Sequence, residues 1–183
     1  MAYRNGTYVA FHAEGSNVPV ASDIKYYNLL KAWTENSGID FSFINSHDKA
    51  SSVRDSSKRT TLRASLQERL RNSRNMLLII GQATRLDTDW VPFEIEQAVD
   101  SYKIPIIAAY PDYEYILAPD KLRSLWPQAL ERRIHAQTAR VIHISFKKLP
   151  IACALGQFDH QNPPSGPLDY YSRDSYVGWG LAR

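Results

Sequence analysis

Cysteine is almost absent from this chain: there is one, Cys153, in 183 residues. A lone thiol excludes an internal disulfide framework and points to a reducing compartment. It sits in Ile151-Ala152-Cys153-Ala154-Leu155, an apolar run in which a buried, inert thiol is expected. Also missing is any unbroken apolar stretch near the ~18–20 residues that a membrane-crossing helix needs. Met1-Ala2-Tyr3-Arg4-Asn5-Gly6 lacks the charged-then-apolar layout of a secretory leader. The expectation is a cytoplasmic protein that does not engage a membrane. Charge of one sign is scarce as well. A net charge of +3 is too small and too scattered to argue for a nucleic-acid or anionic-membrane partner. The one local concentration, Arg59, Arg63, Arg69, Arg71 and Arg74, reads as a solvated helix face, with a phosphate-facing groove as the alternative.

Several signatures of nucleotide and hydrolytic chemistry are missing too. No GxGxxG follows the first strand and no GxxxxGK[ST] occurs anywhere, which removes dehydrogenase-type dinucleotide binding and the P-loop. The third strand ends in Ile80-Gly81, without the aspartate of a receiver domain. There is no GxSxG elbow for a Ser-His-Asp hydrolase. No closely spaced His/Cys set suggests a metal, so neither metal nor resident cofactor is expected.

What is present is an alternation of short apolar runs with longer amphipathic segments. Strands are expected at Thr7–His12, Phe41–Ile44, Asn75–Gly81, Ile104–Tyr110 and Arg140–Ser145. Helices are expected from Ser22 to Asn36, through Leu62, Leu66 and Leu70, from Asp89 to Tyr102, and from Pro119 to Gln137 with a break at Trp126-Pro127. A polar loop is expected over Asn45 to Lys58. Met76-Leu77-Leu78-Ile79-Ile80 is apolar on both faces, as befits a central parallel strand covered by helices on each side. Repeated strand–helix alternation implies an α/β fold: a five-stranded parallel sheet of flavodoxin-like size, with helices on both faces. One domain is expected over residues 1–150. Residues 151–183, turning rich in Gly, Pro and Tyr from about Gly156, read as a C-terminal extension, irregular and packed through Tyr170, Tyr171, Tyr176 and Trp179.

In such sheets ligands bind beyond the carboxyl ends of the strands. The loops there follow Phe11-His12, span Asn45 to Lys58, and run from Gly81 to Asp89 into Trp90-Val91-Pro92-Phe93-Glu94. Trp90 and Glu94, four apart, share a helix face. A carboxylate beside aromatic rings suits N-glycosidic chemistry, because it stabilises the positive charge that develops on the ribose. The plainer reading is also open, since an acidic residue in a first helical turn favours the helix dipole. Trp90 and Phe11 read equally as core anchors, and His12 as an ordinary loop histidine. Glu96 and Asp100 read as a solvated face.

The hydrophobic strand Leu78-Ile79-Ile80-Gly81, the polar loop containing Thr84, and the helix start Trp90-Val91-Pro92-Phe93-Glu94-Ile95 together resemble the TIR-like family of bacterial antiviral defence, in particular the TIR protein of Thoeris systems. The resemblance covers roughly the first 145 residues. Pro92 departs from it, where many relatives have a longer polar residue. It implies a TIR-like fold and an enzyme that consumes NAD+ as substrate, with Glu94 as the essential carboxylate. Phe11, His12, Thr84 and Trp90 would then line the substrate pocket, with Asn45, Ser46 and Asp48 from the flanking loop. It further implies a cyclic ADP-ribose-type messenger that activates a separate effector protein, and it allows a homo-oligomer. Two other readings stand beside it: a nucleoside deoxyribosyltransferase-like enzyme, and a non-catalytic TIR interaction module.

Overall fold

The computed structural model describes residues 4–12, 23–36, 43–44 and 56–183. Along them run β1 (Gly6–Ala10), α1 (Ile24–Asn36), β2 (Phe43–Ile44), α2 (Ser56–Arg71), β3 (Ser73–Ile79), α3 (Trp90–Glu96), β4 (Ile106–Tyr110), α4 (Gln128–His135), β5 (Val141–Ser145), α5 (Lys148–Gln157), β6 (Asp169–Tyr170) and α6 (Arg173–Gly178). All the strands pair in parallel, in the order β2-β1-β3-β4-β5-β6. The expected five strands are all there, in the flavodoxin-like order, whose direction of winding reverses between β1 and β3.

Side chains alternate across each strand and so feed two separate cores. On one face Tyr8, Ala10, Met76, Leu78, Ile106 and Ala108 meet Leu62, Leu66 and Leu70 of α2, Val91 and Ile95 of α3, and Leu130 and Ile134 of α4. On the other, Val9, Phe11, Leu77, Ile79, Ile107 and Ile144 meet Tyr27 and Leu30 of α1 and Ile151, Ala154 and Leu155 of α5. The central strands therefore have no polar face, which is why they read as continuous apolar runs.

Four expectations need correction. Helix α2 begins at Ser56, so Ser56 to Lys58 are helical rather than loop; the apolar spacing starts only at Leu62 and leaves the first turn silent. The rest of that loop, residues 45 to 55, lies outside the described residues. The helix expected up to Tyr102 is α-helical only to Glu96, then opens into a π-helical turn, Gln97–Ser101, where the Tyr102 N–H donates to the Gln97 carbonyl at 3.0 Å. Cys153 is exposed, because α5 turns Ile151, Ala154 and Leu155 inward and leaves Cys153 on its outer side. The segment after Gly156 is not wholly irregular: it adds β6 to the sheet edge, Ile142 opposite Asp169 and His143 opposite Tyr170, and then α6.

A buried polar chain ties that edge down. The Pro167 carbonyl can only accept, so His143 Nε2, 3.1 Å away, carries the ring proton and Nδ1 accepts from the Tyr110 hydroxyl at 2.8 Å. Tyr110 in turn accepts from Trp126 Nε1 at 2.8 Å. Burial pushes the imidazole down to about 4, so His143 is neutral. Among the described residues no helix is long and apolar enough to cross a membrane.

Candidate functional site

The winding of the sheet reverses between β1 and β3. Glu94 stands in this neighbourhood, on the inner side of α3 with Val91 and Ile95. It is 1% exposed, an unusual place for a carboxylate unless something requires it. From β1, the buried Tyr8 reaches it: the phenol O–H donates to Glu94 Oε1 at 2.6 Å. Glu94 Oε2 is also buried and finds no hydrogen-bond partner among the described residues. Burial pushes the carboxyl up to about 8; the Tyr8 hydrogen bond pulls it back and the charge of Asp87 pushes it further up.

Asp87 organises the loop that delivers Glu94. Its Oδ1 accepts from the backbone N–H groups of Asp89 and Trp90, at 2.9 and 3.0 Å, which closes the first turn of α3. Asp87 is thus the residue that caps this helix. Its Oδ2 lies 3.0 Å from His12 Nδ1, so one side chain joins the end of β1 to the start of α3.

Deeper in the same loop, Thr84 is fully buried. Its hydroxyl accepts from the Gly81 N–H and donates to Asp23 Oδ2, both at 2.7 Å. Asp23 leads into α1, and its own N–H donates to the His12 carbonyl at 3.0 Å. Burial holds Asp23 above the ordinary carboxylate range against the Thr84 bond. Gly81 is required here, since a Cβ at that position would stand 2.1 Å from Asp23 Oδ1.

Of the expected site residues, the structure brings His12 and Trp90 towards Glu94, through Asp87 and through the shared helix. Trp90 is half-buried, set edge-on to Phe93 with ring centroids 6.4 Å apart. Arg59 of α2 lies over its indole at 5.5 Å and pairs with Asp89 at 2.6 Å. Arg63 covers Phe93 at 5.0 Å. Those two arginines of the basic cluster therefore clamp α2 to α3. Phe11 is not gathered with Glu94. It belongs to the core on the opposite face of the sheet, stacked on Tyr27 at 4.9 Å. Thr84 uses its one donor on Asp23. Asn45, Ser46 and Asp48 lie outside the described residues.

Tyr8, Asp23, Gly81 and Asp87 were not singled out in the sequence as parts of a site. The alternation of β1 does place Tyr8 and Phe11 on opposite faces, which was a usable signal. No local pattern reveals that Asp23 meets Thr84 across 61 positions.

No curated protein matches the chain. The family model of the Thoeris protein ThsB, TIR-like domain, matches residues 8–115, a span that holds Tyr8, His12, Asp23, Gly81, Thr84, Asp87, Trp90 and Glu94. With more than half of its length in that match and the flavodoxin-like sheet beneath it, the chain belongs to the Thoeris ThsB TIR-like domain family, a module of anti-phage defence.

Proposed function

We propose that this domain cleaves NAD+ at the bond between nicotinamide and ribose, with Glu94 as the catalytic carboxylate. The observation that carries the reading is a carboxylate buried near the reversal point of a parallel sheet, one oxygen held by Tyr8 and the other without a partner among the described residues. Family membership adds weight to it. As the glycosidic bond breaks, its electron pair goes to the pyridinium nitrogen and neutralises it, while positive charge moves to the ribosyl carbon and ring oxygen. A carboxylate beside that carbon stabilises the charge, more strongly in a dry site than in water. Burial keeps a proton on Glu94 at neutral pH. A cationic substrate favours the ionised form, so binding NAD+ would release that proton.

A nucleophile then adds to the ribosyl carbon. Water gives ADP-ribose after losing a proton, and the substrate's own hydroxyl or adenine gives a cyclic isomer. In this reading NAD+ is the substrate, and no separate cofactor is needed. His12, steadied by Asp87, and Trp90 would meet the ribose and base, and the family resemblance adds Asn45, Ser46 and Asp48 as substrate contacts. The product would be a soluble ADP-ribose-type messenger for a separate effector, made by a self-associating enzyme in the cytoplasm.

Wild type and Glu94→Gln are compared for NAD+ loss, with mass spectrometry of the products, in the presence of infected-cell extract. Nicotinamide release by wild type alone is the expected result. Two inert proteins would leave a non-catalytic module, and turnover only of deoxynucleosides would favour a deoxyribosyltransferase-like enzyme.

A further inference from the structure

Among the described residues, the charged groups on the elements around Glu94 are engaged with partners other than Glu94. Asp87 caps α3 and holds His12. Arg59 of α2 pairs with Asp89, and Arg133 of α4 pairs with Glu96 and Asp100 on the outer side of the helix. Asp23, ahead of α1, holds Thr84. Among the described residues no cation pairs with Glu94. The group aimed at the carboxylate itself is the Tyr8 hydroxyl.

Tyr8 is well placed to act as a fixed donor. It lies within β1, with Thr7 opposite Asn75 and Tyr8 opposite Met76 on β3 and with β2 on its other side, so its backbone is held by strands on both flanks. The ring is fully buried. At 2.6 Å the O–H···O contact is at the short end of the ordinary range for a hydrogen bond between two oxygens. Buried carboxylate oxygens without partners are rare, and each calls for a reason. Here the two oxygens of one carboxylate are treated differently: Tyr8 holds one, and none of the described residues holds the other.

We propose that Tyr8 is the positioning residue of Glu94: it holds Oε1, fixes the plane of the carboxylate, and leaves Oε2 as the oxygen that faces the developing positive charge on the substrate. The proposal rests on the NAD+-cleaving reading for its last step only. The pairing of Tyr8 with Glu94 can be measured without substrate.

Tyr8→Phe removes the hydroxyl and little else. In protein carrying ¹³C-labelled glutamate, the Glu94 carboxyl signal should titrate at a higher pH in Tyr8→Phe than in wild type, because the lost bond favoured the ionised form. On NAD+, kcat should fall roughly 10- to 100-fold while KM stays within about threefold, as for an interaction made mainly in the transition state. The pH at which the rate reaches half its maximum should move up with the titration. Fluorinated tyrosine at position 8 is a stronger donor of the same shape, and it should move the titration down. An unchanged Glu94 titration in both variants, or a wild-type kcat in Tyr8→Phe, overturns the proposal. If wild type itself consumes no NAD+ in any activated state, the catalytic reading fails with the choice of working oxygen, and the two titrations still decide whether Tyr8 holds Glu94. Should Tyr8→Phe fail to fold, the fluorotyrosine arm carries the decision alone.

Discussion

Glu94→Gln should gain stability relative to wild type as the pH rises. The unfolded chain releases its Glu94 proton near the ordinary value of 4.5, whereas the folded chain holds it to about 8. Between those values the folded state binds more protons than the unfolded state, so stability falls as the pH rises through the window. At about 1.4 kcal/mol per pH unit, burying the carboxyl costs roughly 5 kcal/mol once the window is passed, of which about 3 kcal/mol is present by pH 7. Glutamine does not titrate. It keeps an oxygen for Tyr8, and whatever its amide costs at Oε2 is the same at every pH. His143 acts with the opposite sign: its folded value near 4 lies below the unfolded one, so its contribution is lost as the pH falls through about 6.5 to 4. That term is common to both proteins and cancels in their difference. Denaturant unfolding of the two at pH 4.5, 7 and 9 should show the stability difference growing towards glutamine, relative to pH 4.5, by about 3 kcal/mol at pH 7 and about 4 kcal/mol at pH 9. A difference constant to within about 1 kcal/mol across that range would mean that Glu94 is not desolvated as described.

Two further substitutions test the frame around the site. Gly81→Ala drives a methyl into Asp23 Oδ1 and parts Thr84 from Asp23, which should cost about 2–4 kcal/mol; a thermal midpoint within a degree of wild type would refute the close approach. Tyr110→Phe strands both the Trp126 N–H and His143 Nδ1 in the core, and about 2–4 kcal/mol should be lost in denaturant unfolding. An unchanged midpoint would show that water or rearrangement replaces the hydroxyl.

The sheet was legible because its strands are short apolar runs separated by helix-length segments, a pattern set by burial on both faces. The break before α4 was legible for a similar reason, as Pro127 cannot continue a helix. Glu94 was legible as a position, since four residues from Trp90 is one helical turn. Its environment was not, because Tyr8 is distant in sequence and only the pairing of β1 with β3 brings the two together. Thr84 shows the opposite failure. A polar residue in the right loop resembles a substrate ligand, while a hydroxyl buried between a backbone N–H and a carboxylate has been used to join two loops. The sixth strand could not be read because two residues carry no period and gain their pairing from Pro167 and the edge of β5.

Cys153 turns from a chemical irrelevance into an experimental convenience. As the one thiol in the chain, and exposed on α5, it accepts a maleimide dye or spin label without any engineered cysteine. Helix α5 covers the face of the sheet opposite the one on which Tyr8 meets α3, so a label there stands apart from Glu94. A pair of such labels on two copies would report distance across any assembly the chain forms, and a change on adding NAD+ could be followed in the unmutated protein.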